Sequence, residues 1–276
     1  MITLIGMGSG TPGSLTAQGL AALQQADRIL GAKRLLETLP EGCTVNRQAT
    51  YKLDEIISCL AAHPDEDIAL VYSGDTGFYS GASRLLPMLR AFGINCRVLP
   101  GLSSVQLLAA AVGRPWQDWT LVSAHGCACD PVAQCMEHEE VFFLTGGAET
   151  PATLCATLTA AGLGDAHALV GENLGTPDEH VHFGTAKELA AQTFAPLSVL
   201  LVEHAVRPVR RTPGLPDEAF IRGDVPMTKQ EVRAAALAKL AVGPSDVLWD
   251  VGAGTGSVSV ELALAAPPGH VYAVEC

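Results

Sequence analysis

The side chains best placed for chemistry sit in glycine-rich loops that follow short apolar runs. The fullest is Tyr72-Ser73-Gly74-Asp75-Thr76-Gly77-Phe78-Tyr79-Ser80-Gly81-Ala82, behind Ile68-Ala69-Leu70-Val71. The apolar run reads as a buried strand that ends where the loop begins. In an open α/β sheet, that end is where ligands bind. Gly74 lets the backbone approach a ligand closely, and Asp75 accepts from ribose hydroxyls or an amine. Gly-Asp after a strand is equally ordinary turn chemistry, so the loop gains weight from similar loops elsewhere.

Two loops repeat the pattern. Gly6-Met7-Gly8-Ser9-Gly10-Thr11-Pro12-Gly13 follows an apolar run over 2–6. Its spacing is not Gly-x-Gly-x-x-Gly, so it either cradles an anion or lines some other ligand through close approach at Gly8. Pro100-Gly101-Leu102-Ser103-Ser104 follows a run over 96–99. There a serine caps the next helix, faces a ligand, or does both. Ser123-Ala124-His125-Gly126 and Gly171-Glu172-Asn173-Leu174 end two later apolar runs.

Other chemistries have little foothold. His125, Cys127, Cys129, Cys135 and His138 offer soft metal ligands, but Cys-x-Cys-x₅-Cys is not zinc spacing. They read as ordinary loop and helix residues, and no metal is expected. Neither Gly-x-Ser-x-Gly nor His-Glu-x-x-His is present. Arg28, Lys33, Arg34, Arg84 and Arg114 are candidate cations for an anionic substrate, against the competing reading of solvated surface charges.

The elements that must position these loops alternate. Strands are expected over 2–6, 27–31, 68–72, 96–99, 119–123, 141–145, 166–171 and 197–203. Helices are expected over 16–26 (Thr16 as N-cap), 53–63, 81–92, 105–112 and 151–161, with Lys33 and Arg34 on another. This is an α/β chain, and Gly113-Arg114-Pro115-Trp116 marks a change of subdomain. Residues 206–227, rich in proline and arginine, read as a linker. A new unit then opens with Thr228 and Glu231 as a capping box. Its helix runs to about 241, and a strand over 247–251 leads into Gly252-Ala253-Gly254-Thr255-Gly256. A helix to about 266 and a strand over 271–274 end at Glu275, 23 residues after Gly252. That is Rossmann-type logic, with Asp250, Gly252, Gly254 and Glu275 as the cofactor side. Two parallel strands do not make a sheet covered on both faces, so this domain reads as incomplete.

Composition sets outer limits. The 276 residues are 48% hydrophobic and 17% charged, enough for a large core. A net charge of -12 without any basic run argues against nucleic-acid binding. No uncharged apolar run reaches about 18 residues, so no membrane span is expected. The N-terminus enters a strand without a signal peptide, and eight cysteines fit free thiols in a reducing cytoplasm.

Taken in order, the five loop motifs resemble the tetrapyrrole methylases, over residues 1 to about 205. The chain from about 214 to 276 resembles the opening of a second, Rossmann-type methyltransferase domain, found in the family's cobalamin-pathway enzymes and linked there to C15 methylation and acetate decarboxylation. The resemblance implies two α/β subdomains (about 1–113 and 114–205) with a cleft between them, and an incomplete domain at 228–276. S-adenosylmethionine would lie in the cleft under a precorrin, which it would methylate at C5, C15 or both. Cofactor contacts carry over onto Gly8 and Ser9, Gly74, Asp75 and Phe78, Ser103 and Ser104, and Leu144. The cysteine-rich stretch after Gly126 departs from the family pattern, in which a basic residue is common. A homo-oligomer is implied, and no catalytic acid or base is assigned. Competing readings are a family member acting on another substrate, or a non-catalytic cofactor-binding scaffold.

Overall fold

The computed structural model describes residues 1–126, 129–203, 213–221, 225–243, 245–266 and 269–275. Contacts divide the chain into two units, Met1–Val206 and Arg207–Cys276.

In the first unit, β1 (Ile2–Gly6), β2 (Arg28–Gly31), β3 (Arg47–Ala49), β4 (Ile68–Tyr72) and β5 (Cys96–Leu99) form a sheet in the order β3-β2-β4-β1-β5. Every pairing is parallel. Crossovers run through α1 (Ala17–Gln25), α2 (Lys33–Glu37), α3 (Leu53–Ala62) and α4 (Ala82–Ala91). Alternate strand residues serve opposite cores. Leu4, Leu30 and Leu70 meet Leu60, Leu85 and Leu89, while Ile5, Ile29 and Val71 meet Leu23 and Leu35. Over β1 and β4 both faces are covered, which is why those two strands are nearly continuous apolar runs. Thr16 caps α1 by accepting from the Gly19 N–H at 3.0 Å.

After α5 (Ser104–Val112), the chain builds a mixed sheet. β6 (Thr120–Ser123), β7 (Glu140–Leu144), β8 (His167–Glu172), β9 (His180–Thr185) and β10 (Ser198–Glu203) stand in the order β6-β7-β10-β8-β9. Only β6 and β7 are parallel. One face carries α6 (Pro131–Glu137), α7 (Pro151–Leu158) and α8 (Ala186–Leu189). The other carries Val105 and Leu108 of α5 against Phe142, Leu169 and Leu201. By packing, then, α5 goes with the second sheet, and the chain passes between layers ahead of Gly113. Two edge strands, β3 and β9, escape the sequence reading: β3 is three residues with no apolar run, and in β9 the alternation of Val181 and Phe183 with His180 and His182 is short and ends at Gly184.

The second unit pairs β11 (Val247–Val251) in parallel with β12 (His270–Val274), beside α9 (Gln230–Leu240) and α10 (Ser257–Ala265). Trp249 stacks on Tyr272, and Val247, Val251 and Val274 are exposed. The expected capping box is corrected: the N-cap of α9 is Lys229, without a side-chain cap bond. The register moves because the carbonyl of Thr228 is taken by the Arg233 guanidinium. Arg233 is fully buried and pairs with Glu261 at 2.7 Å and Asp217 at 2.9 Å, with Phe220 against its face. Glu261 also accepts from the Gly214 and Leu215 N–H groups. Residues 213–221 of the expected linker are thereby fastened to this unit, and 206–212 and 222–224 lie outside the described residues. No helix among the described residues is long and apolar enough to cross a membrane.

Candidate active site

The strand order puts the C-terminal ends of β4, β1 and β5 side by side, and their loops interlock through backbone. Gly8 and Gly74, both at positive φ, exchange two hydrogen bonds of 3.0 and 2.8 Å. A Cβ on Gly6 would lie 2.6 Å from the Gly101 nitrogen and 2.7 Å from the Gly74 oxygen. The three loops thus touch where only glycine fits.

Asp75 joins them. Its Oδ1 accepts from the Gly101 N–H at 3.0 Å and its Oδ2 from the Gly77 N–H at 2.7 Å. The ribose acceptor expected from sequence is therefore also a clamp holding the third loop to the central one. Ser103 is the N-cap of α5, and its N–H and hydroxyl both donate to Gln106 Oε1 at 2.9 Å. Ser103 caps α5, and Ser103 and Ser104 both border the cleft described below.

The second sheet supplies the facing wall. Because β10 runs antiparallel to β7 and β8, its first residues meet their last ones. Thr145 Oγ1 donates to the Ser198 carbonyl at 2.6 Å, and the Asn173 N–H donates to the Leu197 carbonyl at 2.8 Å. Asn173 has φ +48°, a left-handed conformation that asparagine tolerates better than most residues. His125 Nδ1 lies 3.3 Å from the Thr145 carbonyl, which only accepts, so the neutral ring carries its proton there. The ring sits so close to Gly146 that a Cβ would be 1.9 Å from Nδ1. Behind this wall, Glu172 accepts from the Ala195 N–H and pairs with His182 Nε2 at 2.6 Å. Burial works to raise the Glu172 pKa. The Ala195 N–H and the imidazole outweigh it and hold the carboxyl below its usual range.

Four contacts tie the halves together. Ser9 Oγ and Thr11 Oγ1 donate to the Gly175 carbonyl at 3.0 and 3.1 Å. Tyr79, at φ +46°, donates its hydroxyl to the Leu121 carbonyl at 2.8 Å. Phe78 packs against Phe142.

Between the halves lies a cleft of about 290 Å³. Gly8, Ser9, Gly74, Asp75, Phe78, Ser103, Ser104 and Leu144 all border it. So do Tyr79, His125, Thr145, Asn173 and Leu197 to Val199. His125 and Asn173 lie in loop motifs visible in the sequence, but nothing local marks either of them as a cleft residue. Leu197 to Val199 had no signal, being the start of one more apolar strand. Of the candidate cations only Arg34 borders the cleft. Arg28 is paired with Glu66, Lys33 stands near Glu37, and Arg114 bridges Glu140 and Glu203. Among the described residues no group could hold a metal ion, and Cys127 lies outside them. Burial pushes the Cys135 thiol up to about 12, as befits a core residue.

The second unit has its own glycine loop at the ends of its paired strands. The Gly254 N–H donates to Glu275 at 2.6 Å, Asp250 accepts from Ser259 at 2.5 Å, and Gly252 and Gly254 have positive φ. Asp250, Gly252, Gly254 and Glu275 thus share one end of the pair.

Comparison with known proteins agrees with this division. The family profile described as Tetrapyrrole (Corrin/Porphyrin) Methylases matches residues 1–190, and one described as Precorrin methyltransferase domain matches 218–276. A relative from Mycobacterium tuberculosis named precorrin-6Y C(5,15)-methyltransferase, decarboxylating, is 33% identical over 266 residues, 95% of this chain. The chain spans 66% of that relative's length. The cobalt-precorrin-7 C(5)-methyltransferase of Salmonella typhimurium is 33% identical over 184 residues, covering 66% of this chain and 90% of its own. Among solved structures, uroporphyrin-III C-methyl transferase from Thermus thermophilus, complexed with S-adenyl homocysteine, matches at TM-score 0.59 and 18% identity. That match covers 74% of this chain and 97% of the other. Five ordered loop motifs, a cleft between two α/β layers and a profile match across most of the first unit agree: the chain belongs to the tetrapyrrole methylase family.

Proposed function

We propose that the first unit catalyses S-adenosylmethionine-dependent C-methylation of a precorrin in cobalamin biosynthesis, at C5, C15 or both. The observation that carries this reading is the convergence of Gly8, Asp75 and Ser103, from three separate loops, on one cleft. The cleft fits a nucleoside thioether. Its volume is near the lower end for small-ligand sites, which begin at about 300 Å³. Its lining mixes apolar Leu144, Leu197 and Val199 with hydroxyls and backbone polar groups. The Gly8–Gly74 rim has no side chain to hold a ligand away.

The sulfonium supplies an already activated methyl group when bound. The protein's part is to position and to exclude water. A reacting carbon must be held about 3–3.5 Å from the methyl and in line with the leaving sulfur. Asp75 contributes by fixing the third loop against the central one, and the Ser9–Thr11–Gly175 bonds fix the spacing of the two walls. The Asp75 oxygens are engaged by backbone N–H groups, and no single essential general base is expected. The names of the relatives support the precorrin as substrate. The second unit is read as a further methyltransferase domain, with Asp250, Gly252, Gly254 and Glu275 on its cofactor side.

Calorimetric titration with S-adenosylhomocysteine, followed by methyl transfer to precorrin extracts, tests the reading. Binding with turnover supports it. Binding without turnover favours a scaffold, and absence of binding removes the cofactor site altogether.

A further inference from the structure

Arg34 stands exposed on α2 at the edge of the cleft. Its Nη2 donates to Ser73 Oγ at 3.1 Å, and Ser73 opens the loop that carries Gly74 and Asp75. This bond sets the guanidinium at the cleft mouth while using one of its five donors. Among the described residues no carboxylate pairs with it. The other candidate cations either have acidic partners or, like Arg84, lie off the cleft. In a chain of net charge -12, a carboxylate ligand needs a local positive group to offset the overall field. A guanidinium fork fits a carboxylate with two parallel hydrogen bonds.

We propose that Arg34 is the carboxylate anchor of this cleft. The inference rests on the reading of the cleft as a methyl-transfer site. Two sources carry the same chemistry: the aminoacyl end of the cofactor and the acid side chains of the macrocycle.

The test compares wild type, Arg34→Gln and Arg34→Lys in the full chain. Calorimetry uses S-adenosylhomocysteine and 5′-methylthioadenosine, which lacks the aminoacyl part. Fluorescence titration uses an octacarboxylic uroporphyrin and its octamethyl ester. Arg34→Gln should weaken one carboxylate-bearing probe by about tenfold or more and leave its carboxylate-free counterpart unchanged. Arg34→Lys should restore part of the loss. A loss confined to the homocysteine probe assigns the cofactor as source, and a loss confined to the porphyrin assigns the macrocycle. The inference alone is overturned if wild type binds and neither carboxylate probe weakens, or if the uncharged counterparts weaken equally. Should wild type bind neither probe, the cleft reading falls and takes this inference with it.

Discussion

Gly101→Ala tests the interlock of the three loops. A Cβ at this position would lie 2.3 Å from the Gly74 carbonyl oxygen and 2.6 Å from the Gly6 carbonyl carbon. Ordinary contact begins near 3.4 Å, so the third loop must retreat by about 1.1 Å from backbone that cannot rotate away. Overpacking of this kind costs about 1–3 kcal/mol. In a unit of this size that is a fall in Tm of roughly 2–12 °C. The retreat also pulls the Gly101 N–H from Asp75 and moves the cap of α5. A displacement of about 1 Å at a positioning loop costs on the order of 100-fold. Binding of S-adenosylhomocysteine, measured by calorimetry beside a thermal melt, should weaken by about that factor. Gly13→Ala is the control, because its Cβ would meet nothing within 4 Å. It should leave both measurements within error. If Gly101→Ala melts and binds as wild type does, the interlocked-loop argument is wrong.

Three further outcomes are expected. Asp75→Asn replaces one accepting oxygen by a donor facing a backbone N–H, and should lower S-adenosylhomocysteine affinity by about tenfold in the same titration. Glu261→Gln removes one of the two carboxylates paired with the buried Arg233 and leaves it Asp217 at 2.9 Å, so the loss should fall below the roughly 3–5 kcal/mol of a buried charge stripped of its partner; protease sensitivity should rise in the second unit while cofactor binding by the first is retained. Glu172 is held below its ordinary carboxylate pKa in the folded chain, so its stabilising contribution is complete above the unfolded value near 4.5 and is lost as pH falls through the folded value. Urea midpoints measured from pH 6 down to pH 3 should therefore decline, and Glu172→Gln should flatten that acid limb.

Much of the fold was legible because its signals are local. Val71, Ile5 and Leu99 end apolar runs too short for helices, and the glycines behind them mark the turns. The loop residues bordering the cleft were legible for the same reason, since each lies within a few residues of a strand end. What was not legible is long-range. Asp75 as a clamp on Gly101 depends on β1 lying between β4 and β5, which the spacing of the motifs does not encode. Leu197 to Val199 reach the cleft only because β10 runs antiparallel to β7 and β8, and nothing in an apolar run states its direction. Arg34 looks like any helix-surface cation until Ser73 is placed beside it. The Thr228 box failed because a buried arginine five residues on took the carbonyl, and local capping rules do not count such competitors.

The most direct measurement is a crystal structure of the chain with S-adenosylhomocysteine bound. The account predicts the ligand in the cleft of the first unit, in contact with the Gly74–Asp75 loop, with Ser103 or Ser104, and with Leu144 or Thr145. A ligand seated elsewhere in that unit, with Gly8, Asp75 and Ser103 untouched, would contradict it.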